Sequence, residues 1–146
     1  MNIYDRLIQD HDTQKKLAKQ LMETSGDSSE RQQLFKQFKT EAVSHANAEE
    51  QTFYAALIKR PEGQEQTRHS ISEHKEADDL ITELTEADMS GSAWIQKFEK
   101  LKHDLEHHMK EEEEDVFDLA KSLLSDKEAE ELSLQFDKRK QGEKAA

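Results

Sequence analysis

Two stretches of this chain place a histidine and a glutamate four residues apart, His45 with Glu49 and His108 with Glu112. Each pair is preceded, 34 residues upstream of its histidine, by another histidine, His11 or His74. On an α-helix, residues i and i+4 lie one turn apart on one face, so each pair offers an imidazole and a carboxylate in the same direction. That direction is inward, because both pairs sit within apolar stripes. The first stripe reads Phe35, Phe38, Ala42, His45, Ala46, Glu49, Phe53, Ala56 and Leu57; the second reads Trp94, Phe98, Leu101, Leu105, His108, Glu112, Val116, Leu119 and Leu123. An ionised carboxylate inside an apolar core costs on the order of several kcal/mol unless it is compensated. No lysine or arginine stands on these stripes near the two glutamates, so a bound cation is the natural counter-charge. The chain has no cysteine, and a donor set of imidazoles and carboxylates suits iron, manganese or zinc.

The polar residues recur together. Shifting the sequence against itself by 63 residues aligns Ile8 with Ile71, His11 with His74, Leu17 with Leu80 and Leu21 with Leu84, without a gap. The same shift aligns Phe35 with Phe98, His45 with His108, Glu49 with Glu112 and Glu50 with Glu113. Twelve of the 43 columns over residues 8–50 are identical, against roughly three expected by chance. Apolar identities follow from core packing alone; repeated histidines and glutamates in the middle of apolar stripes require a further reason. The chain reads as two copies of one helical hairpin, delivering four histidines and two glutamates to a shared interior.

The elements that must position these groups are long helices. One Pro and four Gly are too few breaks for the many turns of an all-β chain. Helical periodicity runs over about 2–24, 28–60, 64–87 and 93–124, separated by turn signals at Ser25 to Asp27, Pro61 to Gly63 and Asp88 to Ser92. Asp27 with Glu30, and Ser125 with Glu128, have the spacing of capping boxes. The second box opens a short fifth helix with Leu132 and Phe136. Short connections make consecutive helices antiparallel neighbours, which predicts an all-α, up-down-up-down four-helix bundle over residues 1–140, followed by a frayed tail at 141–146. With 33 acidic against 21 basic residues and a net charge of −12, the chain lacks the basic surface that nucleic acid requires. No apolar run is long enough to span a membrane and no export signal opens the chain, so a cytoplasmic protein is expected.

In these residues the chain resembles the hemerythrin-like His-His-Glu cation-binding family. The resemblance rests on Asp10, His11 and Asp12 of the first helix, and on His45, Glu49, Glu50, Phe53 and Tyr54 of the second. Glu73 and His74 of the third helix carry it further, with His108, Glu112, Glu113, Val116 and Phe117 of the fourth. It implies that His11, His45, His74 and His108 are terminal ligands and that Glu49 and Glu112 bridge two iron ions. Oxygen-carrying members have a second histidine one turn after the third-helix histidine, where this chain has Asp78. Asp78 is therefore a seventh candidate ligand, and its carboxylate favours the harder ferric ion. Those members also space the fourth-helix pair one residue wider, which leaves Glu113 as an alternative to Glu112. A second out-of-phase pair, His107 with Glu111, reads as rim. The function expected is a non-haem di-iron protein that binds or reacts with oxygen, peroxide or nitric oxide, with oxidase- or peroxidase-like turnover open. Storage or buffering of iron or other cations without redox function is the alternative.

Overall fold

The structure is a computed structural model describing residues 1–145, and the sequence elements appear as five helices. Helix α1 spans Ile3–Met22. Helix α2 runs over Ser29–Glu49, passes through a π-helical turn at Glu50–Tyr54 and ends with Ala55–Ile58. After a 3-10 turn at Pro61–Gly63, α3 spans Gln64–Glu86. Helix α4 covers Ser92–Glu111, has its own π turn at Glu112–Val116 and continues over Phe117–Leu123. Helix α5 spans Asp126–Ala145.

Local chemistry sets the helix ends. Asn2 caps α1 by accepting from the Asp5 N–H at 2.9 Å, and Gly26, with φ +59°, makes the turn that follows this helix. Ser28, rather than the expected Asp27, caps α2, accepting from the Arg31 N–H at 3.1 Å; Asp27 instead accepts from the Gln32 side chain. The box at α5 forms as predicted, with Ser125 and Glu128 exchanging backbone and side-chain hydrogen bonds, each 3.1 Å.

The fifth helix is as long as α1, 20 residues, and does not fray at Gln141. Its last turns are held by charge. Buried Lys140 donates to Asp10 at 2.9 Å and to Glu41 at 2.8 Å, and Lys144 also pairs with Glu41. Asn47 and Gln51 donate to Glu143. Residue 146 of the expected tail lies outside the described residues.

The core has two apolar layers. One contains Tyr4, Leu7, Phe53, Tyr54, Phe117 and Phe136; the other contains Leu21, Phe35, Phe38, Trp94, Phe98 and Leu101. Each fully buried large side chain contributes about 1.5–3 kcal/mol. The histidines and glutamates form the layer between them.

A π turn adds a residue to the winding, and one residue is about 100° of rotation. The inward stripe of α4 accordingly slips after Glu112. Val116 is buried as predicted, but Leu119 and Leu123 are only half-buried, while Phe117, Ala120 and Leu124 are buried. In α2 the same slip buries Tyr54 beside Phe53 and leaves Ala56 half-buried. No described helix is long and apolar enough to cross a membrane.

Candidate metal centre

Six of the seven predicted ligands converge. His11, His45, Glu49 and Glu112 form one group, and Glu49, His74, His108 and Glu112 a second, with the donor atoms in each within 4.8 Å of one another. All six residues are buried.

The two glutamates divide their oxygens between the groups. Glu49 Oε2 lies 3.6 Å from His45 Nε2, while its Oε1 lies 3.1 Å from His74 Nε2. Glu112 Oε1 lies 3.2 Å from His11 Nε2, while its Oε2 lies 3.4 Å from His108 Nε2. Each carboxylate thus turns one oxygen toward each group of donors.

A ring of outer carboxylates turns the imidazoles the right way. His45 Nδ1 donates to Asp10 at 2.8 Å, His108 Nδ1 to Glu73 at 2.9 Å and His11 Nδ1 to Glu113 at 2.8 Å. His74 Nδ1 faces Glu50 at the longer distance of 3.6 Å. A proton held outward on Nδ1 leaves the Nε2 lone pair facing inward, as a metal-ligating imidazole requires. Glu113, the alternative fourth-helix ligand, thus supports His11 from outside the ion groups, and Glu112 lies within both.

The donor set fits cations better than it fits itself. Both oxygens of Glu49, Oε1 of Glu112 and Nε2 of His108 are buried without a hydrogen-bond partner. Unsatisfied buried groups of this kind each cost about 1–3 kcal/mol, more when charged. With protons as the only counter-charge, the imidazoles themselves compensate. Burial lowers the His11 pKa, but the close carboxylates of Glu112 and Glu113 outweigh this and raise it from 6.5 to about 9. His74 is raised to about 9 in the same way, burial being overcome by Glu49 and Glu50. His45 and His108 are also raised, while burial of Glu112 is outweighed by His108 and His11, which hold its carboxyl well below the usual range.

Asp78 is not brought into either group. The buried stripe of α3 runs through His74, Ala77, Ile81 and Leu84, which puts Asp78 at its exposed edge. There it lines the rim of a cavity of about 40 Å³ bounded by the four histidines, Gln14, Ala42, Ile81, Leu105 and Met109. At about 10–15 Å³ for a water-sized occupant, the space has room for a few such occupants.

Three features of the site were not read from sequence. The Tyr54 hydroxyl donates to Glu112 Oε2, and burial together with the charges of Glu112 and Glu49 raises its pKa well above 10. Ordinary winding would have turned Tyr54 away from the stripe, so only the π turn brings it in. Gln14 is buried against the cavity with its Nε2 unpartnered, and nothing in the periodicity marks it. The outer acids Asp10 and Glu73 did leave a signal: both copies carry an acidic residue immediately before the first histidine. Tyr4 packs edge-on to Phe53, and Met109 and Trp94 are buried, as core residues.

A sequence model of the hemerythrin HHE cation-binding domain matches residues 2–120. A search among curated proteins finds no match. Among solved structures, the chain superposes on a hemerythrin HHE cation-binding domain-containing protein from Mycobacterium kansasii with a TM-score of 0.88 and 25% identity, covering 99% of this chain and 88% of that one. The chain belongs to the hemerythrin HHE cation-binding domain family, and its clustered histidines and glutamates are the residues suited to hold the cations.

Proposed function

We propose that this protein holds two iron ions between His11 and His45 on one side and His74 and His108 on the other, bridged by Glu49 and Glu112, and binds or reduces a small oxidant there. The observation carrying this reading is the division of each glutamate's two oxygens between the two histidine pairs. A carboxylate serving one ion has no need to face both. The hard-to-borderline oxygen and nitrogen donors, with no thiolate, favour iron among first-row metals that change oxidation state. Two irons held by these residues would supply two electrons at one place, the chemistry that oxygen or peroxide demands.

The residues of the chain do the rest. Glu113, Asp10 and Glu73 hold the protons of His11, His45 and His108 on Nδ1 and keep Nε2 inward. Tyr54 holds its proton against Glu112 Oε2 and steadies that bridging arm. Ile81, Leu105 and Met109 give the cavity apolar walls, and its size suits a small ligand of two or three atoms. Gln14 offers an amide N–H with no partner in the protein.

Metal counting on protein purified without oxygen, followed by its absorption spectrum as oxygen is added, tests the reading. Two irons per chain with an oxygen-dependent band are expected; a reversible band means carriage and an irreversible one means oxidation chemistry. Mixed metals with no response to oxygen would overturn the redox reading in favour of cation storage.

A further inference from the structure

A second set of metal-type donors faces solvent between α3 and α4, outside the centre described above. His69 and Glu73 on α3, and His107 and Glu111 on α4, are two further pairs at i,i+4, and they confront each other across the helix interface. His69 Nε2 lies 2.9 Å from Glu111 Oε1 and 3.5 Å from Glu73 Oε1. His107 Nε2 lies 3.7 Å from Glu111 Oε2. One donor atom from each of His69, Glu73 and Glu111 falls within 4.8 Å of the other two.

The repeat shows that this face lacks a counter-charge that the other copy possesses. The residues 63 positions before His69 and Glu73 are Arg6 and Asp10. Asp10 supports His45 just as Glu73 supports His108, and it is neutralised by Arg6 at 2.7 Å and by Lys140 of α5 at 2.9 Å. Helix α5 packs on α1 and α2, so it brings no lysine to Glu73. Among the described residues, the ion-pair partners of Glu73 and Glu111 are imidazoles only. Two carboxylates share this face on a chain of net charge −12, and where the first copy has the fixed cation Arg6 the second has His69.

We propose that His69, Glu73 and Glu111 bind a divalent transition-metal cation at this surface, with His107 at its edge and water completing its coordination. One imidazole and two carboxylates, open on one side, suit a borderline first-row ion held exchangeably. Because Glu73 also accepts from His108 Nδ1, the surface ion rests against the residue that orients a buried ligand.

Zinc is the probe, being redox-silent. The iron-loaded full-length protein is dialysed against Zn²⁺, and zinc and iron are counted per chain, with His69→Ala and Glu111→Gln treated alongside. Neither altered residue belongs to the buried groups, and both variants are expected to retain wild-type helicity and iron. Wild type is expected to take up one zinc more than either variant, or to bind it at least about tenfold more tightly. Equal zinc in wild type and both variants overturns the proposal. The readout is a zinc difference between proteins of the same iron content, so it holds whichever ion fills the buried centre.

Discussion

Copy one, residues 8–50, and copy two, residues 71–113, present the same three inner groups, yet they surround them differently. Each copy contributes a histidine from its first helix and a histidine and a glutamate from its second, and both glutamates face both histidine pairs. Outside that layer the match dissolves. Asp10 is buried under α5 beside Arg6 and Lys140, whereas its counterpart Glu73 is partly exposed among imidazoles. Gln14 answers to Ala77, and Tyr54 answers to Phe117. The inner groups are bound to agree because each carboxylate completes the set of its opposite copy. The outer groups need only hold a proton on Nδ1, and any carboxylate stabilised by its own neighbourhood does that.

Breaking an inner group should have the largest effect, and it should be the same from either copy. Glu49→Ala and Glu112→Ala each remove a donor from both groups, so each is expected to lower affinity for both ions by more than about a hundredfold, beyond the roughly 10–100-fold seen for outer-shell changes. Metal analysis checks this, and a variant that kept one ion at full affinity would show that the carboxylates do not bridge.

The histidines sharpen the comparison through pH. His11 and His74 have folded pKa values of about 9 against 6.5 unfolded. Their contribution to stability in the metal-free protein is therefore complete below pH 6.5 and lost as pH rises through about 9, a change on the order of a few kcal/mol. Ions require the neutral imidazoles, so loading releases protons and the stabilisation by metal grows over the same range. Thermal melts of stripped and loaded protein between pH 6 and 9.5 should diverge as pH rises; parallel curves would remove the histidines from the site.

A smaller effect should separate the copies at their outer acids. Asp10→Asn leaves Arg6 and buried Lys140 short of a partner, at a cost of about 2–3 kcal/mol. Glu73→Gln, partly exposed and without a fixed cation, should cost under about 1 kcal/mol. Denaturant unfolding of the stripped variants measures the difference, and equal costs would mean that α5 does not neutralise Asp10.

The bundle was legible because its polar and apolar periods coincide. Leu7, His11, Ala18 and Leu21 share one face of α1, and no break interrupts them. The six inner donors were legible because the repeat preserved them. The rest of the site depends on contacts that leave no period. The inward turn of Tyr54 depends on a π turn, Gln14 on a cavity wall, and the full length of α5 on Lys140 and Lys144 reaching Glu41 across the bundle. Asp78 illustrates the opposite error. Its spacing from His74 is right, but the stripe of α3 passes through Ala77 instead and leaves the carboxylate outside.

The π turns at Glu50–Tyr54 and Glu112–Val116 also constrain how this chain can change in length over evolution. Winding either window as ordinary α-helix with no residue removed, or adding a further residue to it, would swing everything downstream by about 100°. Tyr54 or Phe117 would then leave the interior while the preceding glutamate stayed in place. The bends around Gly26 and Ser90, by contrast, lie at the surface, where an added residue is expected to displace little. In these two windows the number of residues matters as much as their kind.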